Sequence, residues 1–211
     1  MSSLSMSSTR YRRRKFVNQV MTILAYVCTA AAIIPLTWII VYVIIKGLGA
    51  WNTEFFTDLP KLFGTGGGVR NGIVGTFVIT GFATLMGVPV GVMAGIYLAE
   101  YGNNRLGSVI RFVADTLTGV PSIVVGLFAF GLVVVNTGGF SAFAGAVALA
   151  ILMVPVITRT TEEIIRLVPN SLREASLGLG VARWRTIMRV VVPTALSGIV
   201  TGVLLAVARV A

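Results

Sequence analysis

Five apolar stretches alternate with polar segments along the 211-residue chain. They cover about residues 17–45, 73–99, 112–135, 141–158 and 194–211. The first three exceed the roughly 20 residues that a helix needs to cross a hydrocarbon core of about 30 Å, and the fourth is shorter but uncharged. The pattern predicts an all-α integral membrane protein, a polytopic helical bundle over residues 16–211 behind a basic tail at 1–15.

The first and last apolar stretches are special cases. The first is longer than the apolar part of a signal peptide, which is about 7–15 residues, so we expect it to remain as an anchor. The last is still apolar at Ala211, with no polar or aromatic flank. We therefore expect the chain to be truncated, with five spans of an expected six; a natural five-span protein is the alternative.

Arginine and lysine residues indicate the orientation of the spans. They cluster in three alternate polar segments, residues 10–15, 105–111 and 159–189. Such segments face the cytosol in most membrane proteins, so the N-terminus is predicted to be cytoplasmic. The segment 46–72 and the short turn 136–140 are then external.

Composition excludes a soluble domain. The chain is 56% hydrophobic and only 11% charged, with a mean hydropathy of +0.93. Its net charge of +10 would suggest nucleic acid in a soluble protein. Because the basic residues flank the apolar stretches, we assign them to topology and to lipid headgroup contacts, with no nucleic-acid partner.

Residue types also argue against catalysis. The chain has no histidine and one cysteine, Cys28, so intrachain disulfides and Cys/His zinc sites are excluded. Asp115 is the one acidic residue within the predicted spans, whereas an intramembrane enzyme would need a nucleophile with a base or paired carboxylates. We predict a non-enzyme without a metal or cofactor of its own.

Glycines and prolines in the spans indicate how the helices pack. Glycine recurs at four-residue spacing in the second and last spans, at Gly87, Gly91 and Gly95, and at Gly198 and Gly202. This spacing lets neighbouring backbones approach closely. Bends are expected at the prolines of four spans, which are Pro35, Pro89, Pro121 and Pro155.

The charged loop 159–193 between the last two spans is the most specific feature of the sequence. Ser171 and Glu174 have the spacing of a capping box, which predicts a short helix after Pro169. Small residues at Ala175 and Ser176 would permit close docking of this helix on a soluble partner.

The second half of the loop is predicted to turn and re-enter the membrane. Gly178 and Gly180 should break the short helix, with Gly180 as a C-terminal cap of positive φ. An interfacial amphipathic helix is predicted over residues 182–190. Pro193 then lies in the first turn of the last span, where a missing N–H is tolerated.

Two smaller features have structural explanations. Arg111 and Asp115 are four residues apart at the predicted cytosolic start of the third span, so we expect an ion pair that neutralises itself. The triplet Gly66–Gly68 lacks the Gly-Lys-Ser/Thr ending of a nucleotide site and is predicted to be a flexible turn.

At the charged loop the chain resembles the permeases of ABC importers. Glu174-Ala175-Ser176, Gly180 and Pro193 match the EAA motif of that family, in which a glycine lies six positions after the glutamate and a proline follows. Ser176 replaces the second alanine of the motif. The resemblance implies the type I (MetI-like) permease architecture and a loop that docks into a separate ATPase subunit.

Three further segments resemble phosphate-transport permeases of the PstA type. They are residues 91–101, 111–115 and 119–127, and the ending 205–209 is similar as well. The resemblance implies an importer of inorganic phosphate in the bacterial cell membrane. It also implies an ATPase pair that binds ATP and Mg²⁺, a second homologous permease and an extracytoplasmic phosphate-binding protein.

The phosphate hypothesis makes Arg209 a candidate pathway residue. A translocated anion needs positive charge along its route, because burying a bare charge is costly. Arg209 lies roughly 24 Å along its helix from Pro193, at about 1.5 Å per residue. Its alternative role is to extend to the outer headgroups. An importer of sulfate, molybdate or phosphonate remains an alternative function, and a secondary transporter is a more distant one.

Overall fold

The computed structural model describes residues 8–61 and 67–211, and this part of the chain is almost entirely helical, without an extended strand. It divides into two compact units, residues 1–70 and 71–211. The α-helices in chain order are α1 (Ser8–Gly47), α2 (Thr53–Thr57), α3 (Arg70–Glu100), α4 (Arg105–Gly119), α5 (Ser122–Ala129), α6 (Val135–Thr137), α7 (Ala142–Arg166), α8 (Asn170–Gly178), α9 (Arg183–Thr186) and α10 (Val192–Val210). The predicted all-α bundle is confirmed.

Within the described residues, four helical runs are long and apolar enough to cross a membrane. They are Arg10–Gly47, Arg70–Glu100, Ala142–Arg166 and Arg183–Val210, and the bent pair α4 and α5 would make a fifth. Each run contains or nearly matches a predicted span. α7 extends beyond the predicted end of its span, so the first residues of the loop 159–193 are helical.

In the first unit, α1 is followed by α2 and by a chain reversal in which residues 67–69 contact residues 55–60. Asn52 caps α2, its Oδ1 accepting a hydrogen bond from the Phe55 N–H at 2.8 Å. The chain then returns, and the Val69 N–H donates to the Phe55 carbonyl at 2.9 Å. Lys61 donates to Asp58, and this hydrogen bond raises the pKa of Lys61.

The glycines before α3 belong to this chain reversal. A Cβ on Gly68 would lie 2.5 Å from the carbonyl oxygens of Phe55 and Asp58, so only glycine fits beneath α2. Gly67 has a φ of 128° and pairs with Pro60. Close backbone approach therefore explains these two positions better than the predicted flexible turn; Gly66 lies outside the described residues.

In the second unit, both α3 and α10 pack against α7 through glycines. A Cβ on Gly91 would lie 2.7 Å from Ile157 Cβ, and one on Gly95 would lie 2.5 Å from Thr161 Cβ. The glycines of α10 are equally close to α7, Gly198 to Ile164 and Gly202 to Thr160. The predicted glycine faces are confirmed. The buried core where the three helices meet is formed by Ala83, Ala146, Ala150, Met153, Ile157 and Ala206.

The third predicted span, over 112–135, bends at Pro121 as expected, and the bend is a complete break between two helices. α4 and α5 meet at an angle of 107°. The break lies at Val120, which is extended with φ −72° and ψ 132°, because the proline ring of Pro121 disfavours a helical conformation at the preceding residue. α1, α3 and α7 continue as helices through their own prolines.

The last span begins earlier than predicted. α9 continues through a π-helical turn, Ile187–Val191, directly into α10, so the predicted interfacial helix 182–190 is not a separate element. Pro193 lies in the first turn of α10, as predicted. Pro193, two residues after the π turn, has no N–H to donate and so removes one backbone hydrogen bond at this point.

Candidate functional site

The predicted short helix of the charged loop is present as α8, but its start differs from the prediction. Pro169 is the N-cap residue, with φ −58° and ψ 137°, and no side chain caps the helix. Ser171 is therefore already inside the first turn, where it cannot act as a cap. The predicted capping box between Ser171 and Glu174 was wrong, and both side chains are exposed.

The end of α8 follows the prediction for Gly180. This residue has a φ of 77° and donates its N–H to the Leu177 carbonyl at 2.9 Å. The Val181 N–H donates to the Ser176 carbonyl at 3.3 Å, which completes a Schellman motif. Gly178 is the last residue of α8, and its φ is not positive. The expected break at Gly178 therefore does not occur.

Ser176 joins the two halves of the loop. It is buried, and its Oγ lies 2.9 Å from Thr186 Oγ1 on α9, with either hydroxyl as donor. An alanine at this position would leave Thr186 without that partner. Ala175 and Leu179 instead lie on the exposed side, where Leu179 is 84% exposed.

Arg173 was missed by sequence reasoning, although it makes more polar contacts than any predicted residue of α8. Its Nε and Nη2 donate to Glu100 Oε1 of α3 at 3.0 and 2.8 Å. Nη1 donates to the Val168 carbonyl at 2.6 Å, and Nη2 donates to the Ile165 carbonyl at 3.0 Å. Because Glu100 is 73 residues away, no local spacing could have indicated this pair.

The predicted pair of Arg111 and Asp115 does not form. Arg111 instead donates from Nε to Glu162 Oε1 at 2.7 Å and from Nη1 and Nη2 to the carbonyls of Gly102 and Leu98. Asp115 pairs with Arg159 of α7 at 2.9 Å. The reason is that α4 packs against α7, where the buried Glu162 draws Arg111 away from its neighbour on α4.

Glu162 is the centre of this second cluster. Its side chain is only 1% exposed, and its two oxygens lie 2.6 to 2.7 Å from nitrogens of Arg111, Arg159 and Arg166. Sequence reasoning placed Glu162 in the charged loop 159–193 and did not single it out. The spacing to Arg159 and Arg166, which are three and four residues away, would have indicated one helical face had the end of α7 been placed correctly.

Arg209 lies in the last turn of α10 and is exposed. Among residues 8–61 and 67–211 we find no hydrogen bond or ion pair to it. α10 begins near α8 and α9, so Arg209 lies at the far end of the helix from the charged loop. Neither of its two predicted roles is tested by this position.

The fold and the exposed loop helix define a multi-pass membrane transport component. Residues 87–211 match the family described as the binding-protein-dependent transport system inner membrane component. The chain belongs to this family, and within it to the phosphate transport permeases of the PstA type. The resemblance found in the sequence is confirmed.

Individual relatives support this assignment along nearly the whole chain. The phosphate transport system permease protein PstA of Haemophilus influenzae is 44% identical over 202 residues, which cover 95% of this chain and 72% of the relative. PstA 1 of Mycobacterium tuberculosis is 46% identical over 205 residues, 94% of this chain and 67% of the relative. An inward-facing structure of the MetNI methionine ABC transporter matches with a TM-score of 0.56 and 25% identity, covering 67% of each chain.

Proposed function

We propose that this chain is the permease subunit of an ATP-driven importer of inorganic phosphate in a bacterial cell membrane. The observation that carries the proposal is the 44% identity to a PstA phosphate permease over 95% of this chain. The exposed α8 with its fixed glycine turn supports it, because a permease of this class needs a surface for a separate energy source.

The positive charge of the loop 159–193 supports a cytosolic position for α8. Residues 10–15 are also rich in arginine and lysine, and by the same rule the N-terminus is cytoplasmic as well. A cytosolic ATPase dimer contacts α8 and holds ATP and Mg²⁺, while this chain performs no covalent chemistry and holds no cofactor. A second, homologous permease completes the pathway, and an extracytoplasmic binding protein delivers phosphate.

The contacts of the loop support a route by which movement of the ATPase reaches the membrane. The Schellman turn at Gly180 and the hydrogen bond between Ser176 and Thr186 fasten α8 to α9. α9 continues without interruption into α10 as one run, Arg183–Val210. Closure of the ATPase pair therefore pushes on α8 and shifts a membrane helix, which switches access from one side to the other.

Arg209 is the proposed contact for the translocated anion. It lies on α10, the helix that α8 moves, and it is exposed. A guanidinium can hold a phosphate through paired N–H donors, which an ammonium cannot do. Arg209→Lys should therefore reduce phosphate uptake at least tenfold, whereas full uptake in this variant would assign Arg209 to the headgroups.

Uptake by the reconstituted complex tests the proposed function. Proteoliposomes that contain the ATPase, both permeases and the binding protein should import labelled phosphate with ATP inside, and excess sulfate should leave this uptake unchanged. Strong competition by sulfate would instead favour another oxyanion. Gly180→Trp should separate ATP hydrolysis from uptake; coupled hydrolysis in this variant would disprove the role of α8.

A further inference from the structure

The guanidinium of Arg173 connects three helices at the cytosolic end of the proposed permease. It bonds to Glu100 at the end of α3, to the Ile165 carbonyl in the last turn of α7 and to the Val168 carbonyl just after α7, while its own backbone belongs to α8. A further bond goes to Asn170 Oδ1 at 3.3 Å. An arginine has five N–H donors, and these contacts use all of them.

The partner carboxylate is buried at the end of a long helix. The Glu100 side chain is 7% exposed and that of Arg173 is 18% exposed. Glu100 is the last residue of α3, which has 31 residues and is about 46 Å long at about 1.5 Å per residue. A displacement applied at Glu100 therefore acts on a helix that spans the membrane.

Both helices of the charged loop, α8 and α9, bond to this end of α3. Arg173 of α8 bonds to the Glu100 carboxylate, and Arg183 of α9 donates from Nη2 to the Glu100 carbonyl. The guanidinium of Arg183 also lies over the Tyr101 ring, 4.7 Å from its centroid. The Gly180 turn lies between the two arginines, so α8 and α9 contact the end of α3 together.

Stability alone does not account for a buried ion pair at this place. Removing two charges from water costs free energy that their attraction often fails to recover, and apolar residues of similar size would pack as well or better. What the pair adds is a short, directional connection between a helix exposed to a partner and a helix inside the bundle.

We propose that the Arg173–Glu100 ion pair transmits the displacement of α8 to α3, in parallel with the covalent route through α9 and α10. Arg173 and Glu100 are positioning residues for energy coupling, and the inference rests on the proposed role of α8 as the surface that the ATPase moves. α3 slides along its glycine contacts with α7, at Gly91 and Gly95, when Glu100 is displaced.

Glu100→Ala is the decisive variant, because it removes the connection to α3 and leaves the bonds of Arg173 to α7 in place. The complex reconstituted with ATPase, second permease and binding protein is assayed for phosphate imported per ATP hydrolysed. We expect this ratio to fall at least fivefold, and Glu100→Asp to give an intermediate value. Arg105→Gln is the matched control, since it removes a charge from an exposed residue at the same end.

A second readout does not require transport of phosphate. Spin labels are placed at the exposed positions Leu85 of α3 and Phe143 of α7, with Cys28 replaced by serine. Trapping the ATPase with a nucleotide analogue should change the distance between the labels in the otherwise unaltered complex. Glu100→Ala should abolish this change.

The outcomes separate the two proposals. If the distance change persists in Glu100→Ala, the ion pair does not transmit movement. The same conclusion follows if the complex with Glu100 intact shows no distance change. If the change depends on Glu100 but no phosphate is imported, the substrate is wrong and the ion pair is right. Should Glu100→Ala fail to assemble, Arg173→Lys replaces it, because one ammonium cannot reach Glu100, Ile165 and Val168 together; an unaltered ratio in that complex overturns the inference.

Discussion

The Nε of Arg111 lies 2.7 Å from Oε1 of Glu162, a residue 51 positions later in the chain. Arg159 and Arg166 contact the same carboxylate, which makes it the shared partner of three guanidinium groups. The Glu162 side chain is 1% exposed, so water does not reach the carboxylate and the three guanidinium groups are its hydrogen-bond partners. The cluster fixes the first half of α4 against α7.

Glu162→Gln should destabilise the permease strongly. The substitution keeps the shape of the side chain but leaves the partly buried Arg111 and Arg159 and the exposed Arg166 without their shared anion, and breaking a buried pair in this way costs about 3–5 kcal/mol. Thermal unfolding in detergent should show a lower midpoint than the unaltered chain. Glu163→Gln is the matched control, since Glu163 is exposed and should leave the midpoint unchanged. Equal midpoints for both variants would contradict the central role of Glu162.

Gly180→Val should disrupt the turn between α8 and α9. A Cβ at Gly180 would meet no neighbour within 4 Å, so the cost comes from the φ of 77° alone, roughly 1–2 kcal/mol for an L-residue. A strained turn should reduce phosphate uptake severalfold, and Gly180→Asn should lose less, since asparagine tolerates this conformation.

Gly178→Ala tests whether the effect belongs to the turn. Gly178 also has open space around it, and it lies within α8 in a helical conformation. Alanine should therefore be accepted there without loss of uptake. Equal losses at Gly178 and Gly180 would mean that backbone conformation is not the cause.

Gly95→Val should separate α3 from α7. A Cβ at this position would lie 2.5 Å from Thr161 Cβ and 2.7 Å from the Thr158 carbonyl oxygen, so two helix backbones must move apart. Overpacking of this kind costs about 1–3 kcal/mol. The amount of folded permease recovered in detergent measures the effect. Gly81→Val on the same helix meets nothing within 4 Å and serves as the control; a comparable loss there would indicate a general intolerance of α3.

The sequence predicted what depends on local chemistry. Long apolar stretches, the glycine faces of α3 and α10 and the positive φ of Gly180 each follow from residue type and spacing over a few positions. The helix break at Pro121 was harder, because Pro35, Pro89 and Pro155 lie within continuous helices. A proline shows where a helix is weakened, and packing decides whether it breaks.

The charged contacts between different helices could not be predicted because they join distant segments. Arg111 and Asp115 have good spacing for a pair on α4, yet each bonds to α7. Arg173 likewise pairs with Glu100 on α3. A charged side chain that could pair with a residue on its own helix can also reach residues of the adjacent helices. Arg111 pairs with Glu162 on α7 because water screens the interaction with a buried carboxylate less.

The hydrogen bond between Ser176 and Thr186 leads to the last prediction. Thr186 is 2% exposed, so Ser176→Ala should leave a buried hydroxyl without this partner at a cost of about 1–3 kcal/mol, despite restoring the alanine of the family motif. Thr186→Val should be destabilising for the same reason. The double variant removes both hydroxyls and should be more stable than the sum of the two single losses implies. Thermal unfolding of the four proteins measures this coupling, and strictly additive losses would show that the two hydroxyls do not interact.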